Sequence, residues 1–312
     1  MAGEKKLLAE EVGAEPEAEE IREERKPNIC DSLEGEGEGW IDDVHTYLSV
    51  EFCKPAVWFD SFFADKRIYE EGRAGTHLRW TNDYVLTEGG SWAYTSDVHA
   101  SFELPKAKNK LHIIYEGEED DRLRDVAPVQ QEPAKKDLGL LYAITQSEQA
   151  NFSIRLKLSP SIVLRYRYTW PVTDTFTTRF TQELYRRDNL DGRISRIDFE
   201  KRISKALYLR QSNSVMHSEG FEGEQRDSSL VLYQYLTEKS ALSYESSTTM
   251  LTYPESYIKA SRLGVRYRRN FYRKWLFYEI APAKNWNRPL PTDEREQSWE
   301  ILFRLEVNFI NI

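Results

Sequence analysis

From about residue 75 to the C-terminus, apolar and polar positions alternate one for one. That is the period of a β-strand whose two faces meet different surroundings. The last such stretch, "SWEILFRLEVNF", shows it most cleanly. Trp299, Ile301, Phe303, Leu305, Val307 and Phe309 fall on one face, and Glu300, Arg304, Glu306 and Asn308 on the other. About fourteen segments read this way, with twelve as the lower count: 77–88, 91–104, 109–118, 137–146, 150–159, 161–171, 174–187, 192–203, 205–217, 227–238, 241–253, 257–270, 274–284 and 295–309. They are long beside the roughly 5–6 residues of a globular strand and suit a tilted membrane crossing of about 9–11. No helical period interrupts them. The pattern predicts an all-β fold, an antiparallel transmembrane barrel over residues 75–312.

A soluble sandwich produces the same alternation, with its apolar side in a core. The connections separate the two. Those after even strands are short: "PKAKNK", "QSEQAN", "PVTD", Ser204, "TEKS" and "RNFYRK". The long ones, "EEDDRLRDVAPVQQEPAKKD", "RRDNLDGR", "SEGFEGEQRD" and "AKNWNRPLPTDERE", all follow odd strands. Sorting by parity is natural when one end of a barrel faces the cell exterior and the other the periplasm. Aromatics also gather toward strand ends, at Trp80, Tyr84, Trp92, Trp170, Trp275 and Trp299, as an interfacial girdle requires.

On these residues the segment 75–312 resembles a Gram-negative outer-membrane β-barrel. "GVRYRRNFYRKWLFYEIAP" followed by "SWEILFRLEVNF" is similar to the closing hairpins of uncharacterised members of that class. The resemblance implies an outer-membrane location, contact with the lipid bilayer and lipopolysaccharide, and delivery by the barrel-assembly machinery. The machinery's terminal-strand signal usually ends on an aromatic residue. Here Phe309 is followed by Ile310, Asn311 and Ile312, so the signal is shifted or imperfect.

Composition alters this picture only at the N-terminus. Residues 1–39 carry 13 acidic and 5 basic residues, nearly all of the net charge of −9, and read as a disordered or partly helical acidic tail. The remainder is charge-balanced and offers no basic surface for nucleic acid. Residues 40–74 are rich in aromatics and read as a small pre-domain or plug, with a short helix starting after Asp42/Asp43 and ending before Pro55. The two cysteines, Cys30 and Cys53, fit one disulfide in an oxidising compartment, or two thiols. "MAGEKKLLAEE" has no apolar stretch of the secretory kind, so an exported form would have lost or exchanged its leader.

Candidate chemistry lies on the polar faces. In "DVHAS", Asp97, His99 and Ser101 share one face of one strand, and a histidine beside a serine is the arrangement a nucleophilic hydrolase needs. Outer-membrane lipid hydrolases resemble this, but their pair faces lipid, and here Val98 and Ala100 take that side. No Cys/His spacing suggests a metal, and nothing in the chain calls for a cofactor. Asp120/Asp121 read as part of a solvated loop.

The interior charges define the expected function. Arg155, Lys157, Arg165, Arg167, Arg179, Glu183, Arg262, Arg266, Arg268, Glu300, Arg304 and Glu306 all fall on the lumenal face. Read as a selectivity lining, they make a channel or solute-binding pore for small polar or anionic solutes. Read as cross-strand pairs, they make a structural or assembly barrel with a closed lumen, whose N-terminal segment binds a periplasmic partner. A lipid hydrolase using His99 and Ser101 is the third reading. On the first two, Arg165 and Arg167 stand beside Arg155 and Lys157 as a wall of like charge.

Overall fold

The structure is a computed structural model. It describes Phe59, Phe62 and Phe63 and, from His77 to Ile310, every residue except 104–110, 118–135, 147–148, 160, 188 and 274. The acidic tail, Cys30, Cys53, the helix expected before Pro55 and Asp120/Asp121 lie outside the described residues. So does most of 40–74.

Fourteen strands follow one another in antiparallel order. They are β1 (His77–Thr87), β2 (Trp92–Glu103), β3 (Leu111–Gly117), β4 (Lys136–Gln146), β5 (Ala150–Lys157), β6 (Ser161–Thr173) and β7 (Phe176–Arg187). Then come β8 (Leu190–Arg202), β9 (Leu207–Ser218), β10 (Phe221–Thr237), β11 (Ser240–Leu251), β12 (Tyr257–Asn270), β13 (Leu276–Asn287) and β14 (Glu296–Ile310). Each pairs with its sequence neighbours, and β1 pairs with β14 along its whole length, from His77 opposite Ile310 to Thr87 opposite Glu300. The sheet is therefore a closed barrel without a free edge, which leaves no row of unpaired backbone groups.

The alternation predicted from sequence becomes an inside and an outside. Trp80, Tyr84, Leu86, Trp92, Tyr94, Leu140, Tyr166, Phe303 and Leu305 are exposed on the outer wall, while Thr81, Asp198, Glu279, Glu300 and Glu306 are buried within. An exposed apolar exterior around a charged interior inverts the arrangement of a soluble domain. It matches a barrel solvated by lipid. The tryptophans sort to two rims. Trp80, Trp170 and Trp275 lie toward the end that holds the chain termini and the turns after even strands. Trp92, Trp286 and Trp299 lie toward the other.

The loop pattern needs one correction. Two of the connections expected to be long are short: β8 starts at Leu190 soon after β7 ends at Arg187, and β10 starts at Phe221 soon after β9 ends at Ser218, because residues expected in the loops join β8, β9 and β10. Asn189 turns the first with φ 65°, a left-handed value asparagine tolerates. β10 begins at Phe221, six residues before the expected start, with a register shift between Phe221 and Gln225 and Gly223 at φ +92°. These residues read as loop in sequence because a strand that rises beyond the apolar belt has water on both faces and loses its alternation.

Candidate functional site

The barrel interior gathers the chemistry, and strand register decides which side chains meet. Every candidate lining residue from Arg155 to Glu306 lies on the inner face, as alternation requires. Register also dissolves the like-charge juxtaposition expected between β5 and β6. Arg165 stands opposite Ser153, Arg167 opposite Asn151, Arg155 opposite Val163 and Lys157 opposite Ser161. Spacing cations against neutral partners keeps them on the diagonal, where repulsion is weaker.

The interior divides into two unlike regions. Along β11–β14 and β1, acids and arginines interlock. Arg268 grips Glu306 through both guanidinium arms, at 2.8 and 2.9 Å, and also contacts Glu279; all three side chains are fully buried. Glu306 takes a further bond from Arg79 at 3.1 Å. Arg304 forms a two-armed pair with Asp83, at 2.7 Å for each arm. Arg266 reaches Glu245 at 3.0 Å, and Arg262 lies between Glu245 (3.4 Å) and Glu300 (3.2 Å). Charges so far from water are stable only when paired this completely.

The opposite wall has a different balance. β5, β6 and β7 contain one acidic residue between them, Glu183, against Arg155, Lys157, Arg165, Arg167 and Arg179 on the inner face. Arg165 Nε donates to Glu183 at 2.7 Å, Arg167 Nε to the Thr181 hydroxyl at 3.2 Å, and Arg179 to Glu200 on β8 at 3.4 Å. Among the residues of these three strands, inward bases outnumber acids.

At the end that holds the termini, an aromatic cluster packs inside the barrel against β9, β10 and β13. Phe59, Phe62 and Phe63 form one helical turn, with Phe63 N–H donating to the Phe59 carbonyl at 2.9 Å. Their spacing puts all three rings on neighbouring faces of that turn. Phe59 meets Tyr208 (5.8 Å between centroids) and Tyr233 (5.4 Å), Phe63 meets Tyr233 (5.1 Å) and Phe62 meets Phe277 edge-on (5.8 Å). The rings also cover cations. The Arg268 guanidinium is 4.2 Å from the Phe277 ring centre and 6.0 Å from that of Phe62, and Arg210 lies 5.5 Å from Tyr233. Arg210 in turn bonds Glu200 at 3.0 Å, and Tyr208 donates to the same carboxylate at 2.7 Å.

His99 and Ser101 also lie inside. His99 stacks on His77 with 5.2 Å between ring centres, and Ser101 is buried opposite His77 and Ile114. Among the described residues no histidine bonds the Ser101 hydroxyl. No group of three or more metal-binding side chains occurs among the described residues.

Several contributors escaped the sequence reading: Arg210, Glu245, the aromatics Tyr208, Tyr233 and Phe277, and the phenylalanine turn. The first two had a readable signal, since alternation with Leu209 and Tyr244 puts them on the inner face. The aromatics had none, because an apolar residue on a lumenal face looks like an error in the pattern until a partner occupies the lumen.

No family model and no curated protein matches the chain. Solved structures similar to it include the outer-membrane channel DcaP of Acinetobacter baumannii, at 5% identity over 75% of this chain and 96% of that one, with a TM-score of 0.49. The CymD monoaromatic hydrocarbon channel is similar at 6% identity over 80% and 92%, TM-score 0.49. OmpT of Vibrio cholerae is similar at 6% over 75% and 97%, TM-score 0.48. The chain is a closed fourteen-stranded β-barrel.

Proposed function

We propose that the protein is an outer-membrane channel for small anionic or polar solutes, closed in this structure by the Phe59–Phe63 turn. The outer-membrane location rests on the apolar outer wall and its two tryptophan rims. The channel reading rests on one observation above all: β5, β6 and β7 together hold a single carboxylate against six inward cations, the five above and Arg187, which lies over the Tyr185 ring. An interior wall on which bases outnumber acids among its own strands favours a conduit that draws anions. Paired charges on the β11–β14 side then act as a rigid back wall. Burial of Arg155, Arg165 and Arg167 agrees with a conduit that is shut.

The experiment is a reversal-potential measurement under a salt gradient. Replacing Arg155 and Arg167 with Gln is expected to move the potential toward the non-selective value. Glu183 would keep its 2.7 Å partner Arg165. Unchanged selectivity with a lowered unfolding midpoint would instead support the second reading, a structural barrel, which the interlocked Arg268 network favours.

The location also fixes a topology. An even strand count puts both termini on one side, which is the periplasm in this reading. An epitope inserted at Gly220, in the turn after β9, should be labelled on intact cells. One at Lys239, in the turn after β10, should require permeabilised cells. Labelling of the Lys239 site on intact cells would reverse the orientation.

A further inference from the structure

The outer wall is not uniform around the barrel. On β14 the outward residues Trp299, Phe303 and Leu305 are all apolar and exposed. On β1 and β2 the two polar outward residues are bonded to aromatics: Tyr94 donates to Asn82 at 2.7 Å, and Trp80 Nε1 donates to Ser96 at 2.9 Å. From β7 to β12 the wall differs. Uncharged polar residues cross these strands: Gln182 faces Ser195 on β7–β8, and one step along, Asn213, Ser228, Thr248 and Ser261 face one another in turn across β9–β12, with Ser195 and Asn213 on the diagonal of the β8–β9 pair. Ser195 donates to Gln182 at 2.7 Å, and Ser228 to Asn213 at 2.9 Å. Each position lies within the body of its strand rather than at a rim.

Part of this band has capacity to spare. Asn213 uses its carbonyl oxygen as acceptor for Ser228, while its amide nitrogen has no partner among the described residues. Gln211 and Ser246, in the adjoining row, are exposed and make no side-chain hydrogen bond among the described residues. Lipid tails provide neither donors nor acceptors, so open carboxamides on a lipid-facing wall are unfavourable unless another protein meets them. Polar side chains of this kind join membrane segments to one another.

We propose that the β7–β12 wall is the contact surface for a second copy of this chain. Carboxamides and hydroxyls each donate and accept, so the band is complementary to itself, as a contact between identical subunits requires. The band contains no charge, which disfavours an ionic partner or a lipid phosphate at this level. Outward charge on this wall begins at Arg186, Arg193 and Arg226, the last paired with Glu224, toward the rim formed by the turns after β7 and β9, and recurs at the opposite rim in Lys201 and Arg269. The inference depends on the outer wall facing lipid and is independent of whether the lumen conducts.

A photo-crosslinking side chain placed at Ser246, with a control at Leu156 on β5, tests this in native membranes. The expected result is a covalent pair of this chain from position 246 and lipid adducts alone from position 156. Mass spectrometry would assign both linked peptides to this sequence. With Gln211→Leu and Asn213→Leu added, the homomeric adduct should fall to the level of the control, while heat-modifiability shows that the barrel still folds. The proposal is overturned if position 246 yields only lipid or another protein. A homomeric adduct that survives both leucine substitutions also overturns it.

Discussion

Replacing Arg268 with Met should lower the unfolding free energy by about 3–5 kcal/mol, the usual consequence of removing one partner from a buried ion cluster. Arg268 is the shared cation of Glu279 and Glu306, and none of the three side chains reaches solvent. Methionine has much the same length but leaves two carboxylates facing one another, with Arg79, Arg266 and Arg304 at their margins. It also removes the cation beneath the Phe277 ring. A denaturant titration in lipid vesicles reads the loss directly. Arg186→Ala is the comparison, because its contact with Asp191 is 3.5 Å long and its side chain is 62% exposed. That change should alter stability by no more than about 1 kcal/mol. Equal midpoints for the two variants would mean that the interior network contributes nothing to the fold.

The second large effect belongs to the outer wall. Leu140 on β4 points outward, is 43% exposed, and is paired with Ile113 on one side and Leu156 on the other. On a soluble protein an exposed leucine exchanged for arginine usually changes stability by within about 0.5 kcal/mol. On a lipid-facing strand near the bilayer midplane the same exchange costs about 2–4 kcal/mol. Leu140→Arg should therefore behave as a severe mutation despite the exposure of the site. Titration in vesicles of thinner lipid should reduce the penalty, since the charge would lie nearer the interface. A neutral result would contradict a membrane setting for this wall.

The sequence carried the barrel well because lipid and lumen impose opposite demands on alternate residues. Each strand from β1 to β14 therefore declared both its presence and its faces. β10 was misread at its start because Phe221–Arg226 rises beyond the zone where those demands apply. The lumenal residues were legible as a set but not as partners. Glu279 and Arg268 stand opposite in register, yet Glu306 reaches Arg268 across an intervening strand. No reading of one strand at a time reveals such a triad. Arg165 and Glu183 illustrate the simpler case, directly opposed on β6 and β7, where knowledge of the hairpin register would have sufficed. The phenylalanine turn was the least legible element. "FDSFF" has helical spacing, but only Tyr208, Tyr233 and Phe277, contributed by three separate strands, show where its rings belong.

The central claim is that this barrel is a conduit shut by aromatic contact at one end. Single-channel recording in planar bilayers tests it most directly, comparing the natural chain with Phe59→Ala/Phe62→Ala/Phe63→Ala. Aromatic pairs of this geometry contribute about 0.5–1.5 kcal/mol each beyond burial. Loss of the cluster should therefore release the turn without unfolding the closed sheet. A conduit shut in this way should show rare or brief openings for the natural chain and sustained, anion-preferring conductance for the variant. A variant that folds, inserts and stays silent would contradict it.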